Sequence, residues 1–187
     1  GQIATVPAEV LDLVRAIDGV DAAAGQIQSS ATVLRPDGTT ANLRSQGRAW
    51  IEDDQLNPLQ LDEGTAPSGE GEVVLDRKLA DEAGASIGDT VQLETPIGRT
   101  EATVVGISRF GEQDSLDDGG TISFDESTAV AVLNAGVPGY SSVLVRTSAE
   151  PMSVAVDLQD ALPGSVQLVS KAEFINDETA FAAAFVT

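Results

Sequence analysis

Residues 69–107, GEGEVVLDRKLADEAGASIGDTVQLETPIGRTEATVVGI, constrain the fold more than any other stretch of the chain. A short apolar run, Val73-Val74-Leu75, reads as a buried strand. Asp76 follows it as a helix N-cap, and Leu79, Ala80 and Ala83 mark the inner face of a short helix. Gly84 stands where a helix ends in a left-handed residue. Ile87-Gly88-Asp89 turns the chain into Thr90–Glu94, whose apolar/polar alternation predicts a half-buried strand. Pro96-Ile97-Gly98 makes the next turn, and Ala102–Ile107 return as the second arm of a hairpin.

The flanking segments supply helices and further strands. Pro7 and Glu9 suit the first turn of a helix, and Val10, Leu13, Val14 and Ile17 form an apolar stripe along it. Gly19 ends the helix, and an extended stretch runs from Val20 through Ile27 to Leu34. Pro36-Asp37-Gly38 is a turn, with Ala41–Ile51 as the returning strand and Trp50 read as core. Between Glu52 and Glu72 the composition turns to Asp, Glu, Pro and Gly, which predicts a loop-rich boundary. Farther on come a polar acidic loop (111–120), a short helix over Glu126–Asn134, and a strand over Tyr140–Thr147 with Val143 and Val145 on one face. Pro151–Leu162 predicts an amphipathic helix carrying Val154, Leu158, Ala161 and Leu162. Beyond it Val166–Val169 reads as a strand and Lys171–Thr187 as a final helix with Phe174, Phe181 and Phe185 on one side. Pro7–Val20 and Pro151–Val166 resemble each other weakly, each an amphipathic helix entering a strand.

Composition narrows the function. With 187 residues the chain buries roughly 70% of its unfolded surface, enough for a core without staples. It has no cysteine and no histidine, so thiolate metal sites, disulfides, His-containing triads and the usual zinc ligands are all absent. A net charge of −20 repels nucleic acid and anionic lipid. Arginine far outnumbers lysine (Lys78 and Lys171 only) and alanine is abundant, an actinobacterial-like bias. No apolar run reaches the roughly 20 residues of a membrane span. The chain opens on Gly and reads as an excised soluble piece of a longer protein.

No Gly-x-x-x-x-Gly-Lys-Ser/Thr loop and no Gly-x-Ser-x-Gly elbow occurs. Acids cluster at Asp53/Asp54, Asp117/Asp118 and Asp125/Glu126, but adjacency does not place two carboxyls across a cleft. Asp114–Asp125 sets Asp114, Asp118 and Asp125 at positions 1, 5 and 12 of a calcium-loop pattern, with Gly119 at 6. Leu116 occupies the place of another ligand, so a solvated loop is the plainer reading.

The order strand, short helix, IGDTVQL, hairpin, TVVGI resembles the extracytoplasmic core domain of MacB-like and FtsX-like ABC-transporter permeases. The resemblance implies an α+β fold: a porter-like α/β lobe made from residues 1–64 and 137–187, with a small β-rich lobe, residues 65–136, inserted between them. It also implies a soluble domain between transmembrane helices on the extracytoplasmic face, with no catalytic residues and no cofactor. ATP hydrolysis in a cytoplasmic ATP-binding subunit or domain would move this domain, and with it an extracytoplasmic protein, peptide or lipid. A homo- or heterodimer is implied for the intact transporter. Substrate and partner contact residues stay unassigned. Two other readings stay open: a free-standing secreted or surface binding module, and a carboxylate-only enzyme acting on carbohydrate.

Overall fold

The structure is a computed structural model and describes residues 6–116, 118–162 and 180–184. In chain order its elements are α1 (Ala8–Arg15), β1 (Ala22–Gln26), β2 (Gln28–Ser30), β3 (Thr32–Leu34), β4 (Gln46–Ala49), β5 (Gln60–Gly64), β6 (Glu72–Asp76), α2 (Arg77–Ala83), β7 (Thr90–Thr95), β8 (Gly98–Arg109), β9 (Thr121–Phe124), α3 (Glu126–Leu133), β10 (Ser142–Arg146), α4 (Pro151–Ala161) and β11 (Ala180–Ala184). They fall into two compact units. Gly1–Gln26, Asp53–Leu56 and Pro138–Thr187 make one, and Ile27–Glu52 with Asn57–Val137 make the other. Residues 27–52 and 57–64, read from sequence with the chain ends, group with the middle of the chain. The acidic, Pro-rich composition after Glu52 marks loops, but it does not say which core the neighbouring strands join.

The first unit is built on an antiparallel sheet in the order β1-β10-β11. Val10, Leu11 and Val14 of α1 are buried, and Arg15 of the same helix donates from Nε and Nη2 to the Ala23 carbonyl of β1 (3.2 and 3.1 Å). Leu13, expected in the stripe, is 47% exposed. At 100° per residue Leu11 and Leu13 flank Val10 and Val14 on opposite sides; the buried face takes Leu11, and Arg15 ends the helix before Ile17 joins it. Val6 and Tyr140 exchange backbone hydrogen bonds of 2.6 and 2.8 Å. The Tyr140 ring lies against Gly25, where any Cβ would overlap it, so β1 needs glycine at that point. Glu150 caps α4 by accepting from Ser153 N (2.9 Å), and Val154, Leu158 and Leu162 are buried.

Residues 180–184 correct the expected C-terminal helix: they form strand β11 beside β10. A short apolar run fits a buried strand or a helix equally by periodicity, and pairing with the free edge of β10 decides for the strand. The expected strand at 166–169, Phe174 and Phe185 lie outside the described residues.

The second unit is a sheet closed on itself. Its order is β2-β4-β9-β6-β8-β7-β3, and β2 and β3 are one stretch of chain interrupted only by Ala31. Pairing β2 to β4 and β3 to β7 therefore joins the two ends of the path and removes their open edges. Strand β8 is twelve residues long. It pairs with β7 along its first half and with β5 along its second, through a bulge between Leu61 and Glu63. The predicted alternation of β7 holds, with Val91, Leu93 and Thr95 buried. Val73, Val74 and Leu75 are fully buried in β6, as a strand flanked by β8 and β9 requires. The predicted strand over 41–51 is shorter, Gln46–Ala49, and β5 lies within the stretch read as loop. Trp50 is half-buried.

Candidate interaction surface

Asp76 joins three segments of the second unit. It ends β6, caps α2 and is 0% exposed. Its Oδ1 accepts from Leu79 N (2.8 Å), while Oδ2 accepts from Ser115 Oγ (2.6 Å) and Thr121 N (2.7 Å). One carboxylate thus ties the start of α2, the acidic loop and the start of β9. A buried carboxylate is tolerable only with such donors around it. Gly120 (φ +83°) brings the chain close to Leu79, and Lys78 N donates to the Asp114 carbonyl (3.1 Å), so the acidic loop is strapped to the helix.

The three calcium-pattern acids have separate tasks. Asp114 pairs with Arg109 (3.5 Å), and Asp118 pairs with Lys78 (3.8 Å), whose Nζ also donates to the Asp118 carbonyl (2.7 Å). Asp125 caps α3, accepting from Ser127 N (3.1 Å) and Thr128 N (3.2 Å). Burial pushes its carboxyl up, but the bonds from Ser127 and Thr128 together hold it below the ordinary carboxylate range. Among the described residues no group of three or more His, Cys, Asp and Glu is placed to hold a metal ion.

Strand β5 presents all five residues to solvent and is fastened by charge. Arg77 donates to Asp62 (2.6 Å) and to Glu63, and Arg109 donates to Asp62 (3.0 Å). Arg77's hydrogen bond is the main reason the Asp62 carboxyl sits low, and Asp62 and Glu63 in turn raise the Arg77 guanidinium. The bulge and the acids guard the free edge of the strand against pairing with another chain.

Two turns of the same unit carry exposed branched side chains that a strand-and-core reading passes over. In the β3–β4 connection Leu43 is 85% exposed. In the β7–β8 turn Ile97 is 55% exposed. Arg44 and Arg99, beside them, are exposed and make no ion pair or side-chain hydrogen bond among the described residues, unlike the other described Arg and Lys side chains. Asn42, a poor strand former, was the available sign that the strand does not begin at Ala41.

Residues 1–163 match the family described as MacB-like periplasmic core domain. The chain therefore belongs to the MacB-like periplasmic core domains, extracytoplasmic domains of ABC-transporter permeases. The curated proteins return no match. Among solved structures, the fold resembles the extracellular domain of the noncanonic ABC-type transporter YknZ from Gram-positive bacteria. The TM-score is 0.60 at 14% identity, covering 83% of each chain. It also resembles the periplasmic region of MacB from Actinobacillus actinomycetemcomitans. There the TM-score is 0.61 at 13% identity, covering 83% of this chain and 72% of that one. At these identities the likeness is one of fold.

Proposed function

We propose that this domain couples ATP hydrolysis in a cytoplasmic ATP-binding subunit or domain to movement of an extracytoplasmic partner or substrate, without itself catalysing a reaction. In this reading the unit drawn from both chain ends is the porter-like lobe, the barrel-like unit is the inserted lobe, and the domain stands between transmembrane helices on the outer face of the membrane. Two such permease domains work as a pair. The family match over residues 1–163 carries the reading. The entry of both chain-end segments into one sheet, β1-β10-β11, supports it, because force arriving through two flanking helices would reach the same rigid body. No described helix is long and apolar enough to cross a membrane.

The test uses the full-length permease reconstituted with its ATP-binding subunit. A spin label is placed at Leu13→Cys, an exposed position on α1 in a background without other cysteines. Coupling predicts that the distance between the two labels shifts when ATP is trapped. An identical distance distribution with and without nucleotide sinks the coupling, and a single-spin signal sinks the pair.

A further inference from the structure

We propose that the Leu43–Arg44 loop is a preformed docking knob for a protein partner whose receiving surface is an apolar pocket edged by carboxylates. The loop's shape is fixed before any partner arrives. Arg35 donates to the carbonyls of Thr40 (2.7 Å), Ala41 (3.0 Å) and Glu82 (3.0 Å). Asn42 Nδ2 donates to Glu82 Oε2 (2.8 Å), and Asn42 Oδ1 accepts from Arg44 N (2.9 Å). Ser45 Oγ donates to the Ala31 carbonyl (2.8 Å), and Gly119 lies so close to the Arg44 carbonyl that no Cβ fits there. An ordered loop has little conformational freedom left to lose on binding, yet these bonds hold a leucine out in water.

Charge selects the partner's chemistry. The chain carries 30 acids against 10 bases, and still Arg44 finds no carboxylate among the described residues while Glu82 and Asp118 are taken by Asn42 and Lys78. Ile97 with Arg99 repeats the pairing of an exposed apolar side chain and an unengaged arginine. It does so in the β7–β8 turn, which follows Glu94, the partner of Thr32 in the β3–β7 register. The exposed Arg44 guanidinium, set beside an apolar side chain, fits a different protein whose apolar pocket offers it a carboxylate. This inference does not depend on the coupling proposed above.

The test pans a random 12-residue peptide library on phage against the wild-type domain. Enriched clones are then measured against Leu43→Ala, Arg44→Ala and, as a control, the exposed Val137→Ala. Clones carrying acidic and apolar residues are expected to bind both loop variants about tenfold or more weakly and the control unchanged. Clones that bind all four proteins alike, or that are basic, overturn the proposal. So does Leu43-dependent cosedimentation with phosphatidylglycerol vesicles, or a Leu43-dependent dimer in sedimentation velocity. Circular dichroism that matches wild type keeps each variant interpretable.

Discussion

Asp76 shows how much one side chain settles. Its donors Leu79 N, Ser115 Oγ and Thr121 N belong to different segments, so replacing it strands buried groups in all of them at once. Asp76→Ala is expected to lower stability by about 2–4 kcal/mol in urea unfolding, and Asp76→Asn by less, because the amide oxygen still accepts. Ala135 makes the opposite case. It follows α3 at φ +52°, the one positive-φ residue other than glycine among those described, while Gly136 N returns to the Val130 carbonyl (2.9 Å). A Cβ is strained in that left-handed turn, so Ala135→Gly should raise stability by about 1 kcal/mol. Asp76 was legible as a cap from the sequence, since a polar residue between an apolar run and a helical stripe has few other uses. Its bonds to Ser115 and Thr121 were not, because they span 39 and 45 residues of chain.

At the level of elements, β5 and β11 are the strands whose presence rests on neighbours. Gly106 of β8 lies so close beneath the Glu63–Thr65 backbone that a Cβ would overlap it, and Arg77 and Arg109 fasten the strand through Asp62. The folded carboxyl of Asp62 is depressed, so its contribution is complete above the unfolded pKa of about 3.9 and fades as pH falls through the lower folded value. Wild type should therefore exceed Asp62→Asn in thermal stability at pH 6, and the gap should close below about pH 4. A gap independent of pH would mean that packing, not charge, holds β5. For β11, deleting residues 180–184 should speed amide exchange in residues 142–146, which lose one of two sheet neighbours, and leave β6 unchanged. Neither strand has a pattern of its own: QLDEG is polar and AFAAA reads as helix, and only an available edge makes each a strand.

Over the whole molecule, charge is the property that solution conditions reach. At −20 the folded chain repels itself, and salt screens that repulsion. The thermal midpoint should rise between about 10 and 200 mM NaCl, a range over which the screening length falls several-fold. A midpoint independent of salt would show that self-repulsion does not limit the stability of the folded chain. Lacking histidine, the chain should also show little change in stability between about pH 5.5 and 8.

The sequence by itself determined the elements whose patterns are local: α2 with its Asp76 cap and Gly84 end, the alternating β7, the β7–β8 hairpin, α3 and α4. It also determined the acidic, cysteine-free and histidine-free chemistry, and through the IGDTVQL and TVVGI segments the family. Tertiary structure alone decided the rest. It closed the barrel by using one bent stretch, Gln28–Leu34, as both ends of a sheet, and it turned the buried face of α1 toward Leu11. It made strands of β5 and β11, and it left Leu43 in solvent on a fixed loop. Each of these depends on partners far away along the chain. Periodicity reports only the face a residue shares with its near neighbours, so it could not have shown them.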